Sequence, residues 1–205
     1  MKYNDIGKRH IKWVFSTVLF IIGMSACNHN ERYKETILKM TSRPVNLSKD
    51  KMELVYCNTK DSTTQSNMDE TKEYLWVVYA DSFVCSSCKL SELHYWNEFI
   101  YESKKMSDNV DFCFIFSPKK EDENTFMFTV RSLKFATSIY LDSSNSFHHN
   151  NPQIPNDQRF HTFLLNGDKK ILLVGDPVKN EKINKLFQEI VADNKKQSLF
   201  KSQIP

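Results

Sequence analysis

Cys85 and Cys88, in Val84-Cys85-Ser86-Ser87-Cys88, are the residues whose type and spacing together announce covalent chemistry. With two residues between them, a helical turn brings the sulfurs within bonding reach, and such a pair cycles between dithiol and disulfide by thiol exchange. The attacking species is a thiolate, and a free cysteine has a pKa of ~8.5, so the chemistry needs a setting that lowers it. A helix start is one such setting. Its first four backbone N–H groups lack intrahelical partners, and its aligned peptide dipoles add about half a positive charge. Cys85 is expected there as an exposed nucleophile. Cys88, one turn on and more buried, is expected to resolve the mixed disulfide, with Lys89 adding a favourable charge.

The elements needed to place this pair are legible. Tyr74-Leu-Trp-Val-Val-Tyr-Ala80 is a short apolar, β-branched and aromatic run, as in a strand buried on both faces, and it stops at Asp81-Ser82 just before the cysteines. Leu90, Leu93, Trp96 and Ile100 recur at helical spacing, which predicts an amphipathic helix from Ser86 to about Ser103. Val110 to Ser117 is a second buried strand, and Glu121 to Lys134 reads as a helix of untidy periodicity. Ile139 to Leu141 is strand-like. The stretch Asp142 to Gln158, rich in Ser, Asn, His and Pro, is expected to be a long irregular loop. Two apolar runs then flank Asn166-Gly167, a hairpin signal. Ile183, Leu186, Phe187, Ile190 and Val191 put one apolar stripe on a helix from Asn180 to about Asn194. Upstream, residues 28–40 read as a tether and docking helix, 44–57 as one or two short strands, and 58–73 as a polar surface loop.

The first 27 residues read as an export signal. Lys2, Lys8, Arg9 and Lys12 precede an apolar stretch from Trp13 to Met24, shorter than the ~20 residues a membrane span takes. Met24-Ser25-Ala26-Cys27 resembles a bacterial lipobox, which implies diacylation of Cys27 and an anchored mature protein. The alternatives are an uncleaved signal anchor or an ordinary signal peptide. The domain expectation is therefore 1–27 signal, 28–73 N-terminal extension, 74–197 folded domain and 198–205 tail. Export places the remaining cysteines in an oxidising compartment, where close pairs persist as disulfides. Cys113, in a strand, is expected to be an inert core thiol, and Cys57 either a buried thiol or a transient partner.

The order strand, cysteine pair, helix, strand, then hairpin and helix resembles the thioredoxin fold over Tyr74 to Asn194. The resemblance implies an α/β domain with a central mixed sheet flanked by helices. The N-terminal extension, the envelope signal and Thr162-Phe-Leu-Leu-Asn166 look most like TlpA-like, peroxiredoxin-related envelope lipoproteins. What this implies is dithiol-disulfide exchange with envelope protein thiols or disulfides, no cofactor, and a membrane association through Cys27. The sequence departs from the family pattern at Val84, where Trp is usual, and at Ser86-Ser87, where Gly-Pro is usual. The family's cis-proline position falls on His161 or Phe160, so a trans peptide is expected there. Lys89, Phe160, His161 and Thr162 are the expected redox-tuning or substrate-docking residues.

Two other functions fit the same residues. Two thiolates facing His161 make a soft site suited to Cu(I) or Zn, an arrangement that resembles Sco-type copper chaperones. On the favoured reading no metal is bound, and His161 is a strand-end side chain that tunes Cys85 as an imidazolium would. His148-His149 is expected to be solvated. The third function is a binding lipoprotein in which the cysteines are a permanent staple. Nucleic acid is not expected, because the net charge is only +3 and several of its lysines and arginines lie in the signal. With four glycines and no phosphate-cradling loop, nucleotide binding is not expected either. Fifteen Phe predict an aromatic core.

Overall fold

The computed structural model describes residues 31–56, 72–83 and 86–202, with the side chains of 86, 87 and 194–202 outside the description. Cys27, Cys57, Val84 and Cys85, with the signal segment and most of the polar loop, lie outside the described residues. A first helix, α1, covers residues 31–40 and through residue 39 belongs to a unit distinct from the body that begins at Met40. In the body, six strands are described: β1 (Glu53–Tyr56), β2 (Tyr74–Ala80), β3 (Val110–Phe116), β4 (Ile139–Leu141), β5 (Thr162–Asn166) and β6 (Ile171–Val174). They form one mixed sheet in the order β1-β4-β3-β2-β5-β6. Strands β2, β3 and β4 run parallel, while β1, β5 and β6 pair antiparallel with their neighbours. The helices of the body are α2 (Ser86–Glu92), α3 (His94–Met106), α4 (Glu123–Arg131), α5 (Ser146–Asn150) and α6 (Glu181–Ser202).

This is the thioredoxin-like fold, with β1 supplied by the segment read as N-terminal extension. Strand β2 is central because both its faces are apolar. Trp76 and Ala80 join Leu90, Leu93, Trp96, Phe99 and Phe187 in the main core, while Leu75, Val77 and Tyr79 are buried on the other face. The core is aromatic, as its composition implied. Trp76 meets Phe99 edge-on at 6.0 Å and Phe187 at 5.6 Å, and Phe114 meets Phe135 at 4.8 Å. Such contacts add to what area burial alone contributes.

Three expectations change. The single helix after the cysteines is two, because at Leu93 the amide bonds the Leu90 carbonyl three residues back, and Trp96 does the same to Leu93. These tighter turns end the seven-residue α2 before α3 begins. The final helix runs on to Ser202, past the end expected near Asn194. The stretch 142–158 is ordered, with α5 inside it and a 3-10 turn at Gln158–Phe160 closing it.

Its order comes from polar groups that satisfy one another. Asp142, wholly buried, accepts hydrogen bonds from the Ser146 amide and hydroxyl at 2.9 Å each, the Phe147 amide at 2.8 Å and the Ser144 hydroxyl at 3.2 Å. Asn151, also buried, accepts from the Asn46 amide at 2.8 Å and donates to the Asn46 and Phe147 carbonyls at 2.7 Å each. Replacing Asp142 by Ala strands four donors, and the expected cost is about 3 kcal/mol, read as a lowered urea midpoint. Asp142→Asn should cost less, because it keeps an acceptor oxygen.

Candidate functional site

The site lies where β2 ends, β5 begins and α2 crosses above them. Asp81 follows β2 directly and is 5% exposed. Its Oδ1 accepts from the Phe83 amide at 3.0 Å, which fixes the turn leading to the cysteines. Phe83 is 79% exposed beside that turn. Cys88 sits in α2, is exposed and is disulfide-bonded. It was expected to be the more buried of the two cysteines, but as the third residue of α2, in the helix's first turn, it is open to solvent. Its bonding partner lies outside the described residues. Cys113 is a wholly buried thiol of β3, as expected.

Lys89 is half-buried and holds its Nζ 3.6 Å from Glu92 Oε2, which in turn takes Lys179 Nζ at 2.7 Å. The Lys179 hydrogen bond holds the Glu92 carboxyl below the ordinary carboxylate range. Glu92 thus ties α2 to the segment after β6.

His161, 2% exposed, comes just before β5. The antiparallel register that sets Val78 opposite Thr162 brings it beside the end of β2, where its carbonyl accepts from the Tyr79 amide at 2.9 Å. Its ring packs on Tyr79, centroids 5.0 Å apart. Nε2 donates to the Pro155 carbonyl at 2.8 Å, while Nδ1 lies 4.0 Å from Asp81 Oδ2 and has no hydrogen-bond partner among the described residues. Burial, outweighing the Pro155 carbonyl and Asp81, pushes the ring below the ordinary histidine pKa. The imidazolium expected beside the cysteines is therefore a neutral ring, because the fold seals it from water. Phe160 is buried under the Arg159 guanidinium, and Thr162 is half-buried at the start of β5. The peptide before His161 is trans, and no cis bond occurs among the described residues. His148 is half-buried and stacks on Tyr79, whereas His149 is exposed.

A largely enclosed cavity of about 30 Å³ lies between His161 and Thr162 on one side and Lys89, Glu92 and Leu93 of α2 on the other. It has room for a water molecule. Among the described residues no three His, Cys, Asp or Glu side chains gather at one point as metal ligands would. Sequence reasoning missed Asp81 as a site residue. Its signal was a carboxylate set at the end of an apolar run.

A pH dependence follows from His161. A group whose native pKa is depressed stabilises the fold in full above its unfolded value of ~6.5 and loses that stability as pH falls toward the native value. The melting temperature is expected to drop as pH falls below about 6.5, and His161→Gln to flatten that drop.

The sheet order and the flanking helices give this chain a thioredoxin-like fold. The chain matches no family model and no curated protein sequence. Among solved structures it is similar to a Chlorobium tepidum protein assigned as thiol:disulfide interchange protein DsbE, at 16% identity over 60% of this chain and 82% of that one, TM-score 0.43. It is similar to a thioredoxin-like protein from Porphyromonas gingivalis at 12% identity over 59% and 74%, TM-score 0.41. It is also similar to StoA from Bacillus subtilis at 20% identity over 60% and 87%, TM-score 0.37. Among the described residues no helix is long and apolar enough to cross a membrane.

Proposed function

We propose that this chain is a thiol-disulfide oxidoreductase of the bacterial cell envelope, held to the membrane by lipid on Cys27 and acting on protein thiols or disulfides through Cys85 and Cys88. The observation that carries the reading is Cys88, disulfide-bonded yet exposed, in the helix directly behind the central strand. A staple serves packing and gains nothing from exposure, whereas exchange requires a sulfur that another molecule can reach. In the reduced protein Cys85 attacks a substrate disulfide and Cys88 displaces the substrate from Cys85. The sulfurs themselves carry the electrons, so no cofactor enters. Lys89, His161 and Thr162, which line the cavity beneath α2, together with Phe160 in the turn before β5, are the residues proposed to tune the pair and seat the substrate.

The test is reduction of insulin disulfides by the full chain, with Cys85→Ser as control. Turnover that disappears in the variant supports exchange. No turnover, together with a reduction potential well below roughly −300 mV, points to a staple. Anaerobic Cu(I) titration addresses the metal-binding alternative, in which stoichiometric binding would be lost in Cys85→Ser, Cys88→Ser and His161→Gln alike. Palmitate labelling of the wild type but not of Cys27→Ala tests the anchor.

A further inference from the structure

A groove of about 350 Å³ lies between α3 and α6, apart from the cavity beneath α2. Its shape follows from the faces the two helices bury. On α3, Phe99 turns into the core, while Tyr95, Glu98 and Glu102 recur three and four residues apart and line up as one exposed row. On α6, Phe187 is buried, and Asn184 and Gln188 form the opposite wall, joined by a hydrogen bond of 3.1 Å from Gln188 Nε2 to Asn184 Oδ1. Phe99 and Phe187 pack with centroids 5.5 Å apart at the bottom, and Met106 and Val178 add further apolar lining. The groove is thus apolar below, with carboxylates on one wall and carboxamides on the other.

Its charge is one-sided. No lysine, arginine or histidine lines it. Glu102 holds Lys105 at 3.1 Å, but among the described residues no cation reaches Glu98. Lys179 and Lys185, which flank Asn184 in the chain, are already taken by Glu92 and Glu181 at 2.7 Å each. Such walls suit a long side chain with an apolar stem and a cationic head. Arginine fits best, because its planar fork offers five donors and no acceptor, enough for a carboxylate on one wall and a carboxamide oxygen on the other. The groove is also continuous with the exposed cysteine. Glu92 lies four residues beyond Cys88 on the same face of α2, Lys179 clasps Glu92, and Val178 beside Lys179 lines the groove.

We propose that the groove between α3 and α6 seats an arginine of the protein substrate and so selects substrates with a basic residue near the cysteine they exchange. The inference rests on the exchange reading above and adds no covalent step to it. Glu98 is ten residues beyond Cys88, about 15 Å at the helical rise. An extended substrate chain spans that distance in about five residues. Exposed ion pairs each contribute little and are screened by salt, so the selection is a preference of several-fold at low ionic strength.

The experiment mixes the reduced full chain with peptides whose single cysteine is capped by 5-thio-2-nitrobenzoate, and follows release of the coloured thiolate. The peptides differ only in carrying Arg, Ser or Glu about five residues before or after the cysteine. At low salt one of the two arginine peptides is expected to react about 5-fold faster than its serine counterpart, with the glutamate peptide slower still, and ~0.5 M salt is expected to erase the difference. Glu98→Lys combined with Glu102→Lys should reverse the order, whereas Glu53→Lys on the edge strand β1 makes a like charge change outside the groove and should leave it intact. Equal rates for the arginine and serine peptides overturn the proposal, as does a preference that survives the double substitution or that Glu53→Lys weakens as much. Should the double variant fail to fold, the wild type is titrated with the arginine peptide, its cysteine replaced by serine, and followed by amide NMR. Shifts centred on residues 95–106 and 184–188 support the groove, and shifts confined elsewhere or absent refute it. That titration needs no thiol chemistry, so a chain that reacts with no peptide sinks the oxidoreductase reading while the groove is still decided by its own measurement.

Discussion

Cys88→Ser is expected to bring insulin reduction down to the uncatalysed background and to leave the protein trapped as a mixed disulfide with its substrate. With the resolving sulfur gone, Cys85 still attacks but nothing intramolecular displaces the product, and release waits for a second thiol from solution. Mass spectrometry under non-reducing conditions should therefore find the adduct on Cys88→Ser and not on Cys85→Ser. Cys113 cannot substitute, because it is wholly buried in β3. The serine variant is expected to stay folded. With Cys85 as the bonding partner, the closed loop is so short that the chain-entropy model gives it only about 2 kcal/mol, against a typical total of about 5–15 kcal/mol. An adduct on neither variant would remove the division of labour between the two sulfurs. Cavity residues would then have to be reconsidered, because Lys89, Thr162 and His161 are assigned on the assumption that substrate arrives at this end of the sheet.

What the sequence made legible was whatever depends on local periodicity. The run at β2 was bounded to the residue, the Asn166-Gly167 signal became the β5–β6 hairpin, and the apolar stripe that begins at Ile183 became α6. In the hairpin Asn166 both donates to the Lys170 carbonyl through its amide and accepts from the Lys170 amide through its side chain, so the turn carries its own hydrogen bonds. The features that escaped depend on partners far away in the chain. Asn- and Ser-rich sequence reads as loop because such side chains compete with the backbone for hydrogen bonds, and only the distant segment at Asn46 and Ser48 turns that competition into order around Asn150 and Asn151. The site divides in the same way. Cys85 and Cys88 announce themselves by spacing, whereas Asp81 and His161 meet only because β5 lies antiparallel against β2. The break at Leu93 escaped because an apolar stripe at helical spacing passes through it without interruption, and the tightening shows only in which carbonyl each amide selects.

Trp76 is the position where a core substitution should do the most damage, and where two substitutions should differ most. It is wholly buried in the central strand and packs edge-on against Phe99 of α3 and Phe187 of α6, so it joins the sheet to two helices at once. Trp76→Ala removes those contacts and leaves a large cavity, at an expected cost of about 3–5 kcal/mol. For a domain of this size that corresponds to a melting temperature lower by roughly 10 °C. Trp76→Phe is a different case. The indole Nε1–H is buried without a hydrogen-bond partner among the described residues, a state that costs about 1–3 kcal/mol, and phenylalanine removes the unsatisfied donor while keeping an aromatic ring in the cluster. The two effects oppose each other, and the net change should stay within about 1.5 kcal/mol by urea denaturation. A Trp76→Phe cost equal to that of Trp76→Ala would mean that the indole N–H is satisfied in solution. Because β2 ends at Asp81 and leads into the cysteines, the damage should also reach the site, but through the folded fraction alone. Exchange activity in Trp76→Ala is expected to fall in proportion to the folded protein remaining.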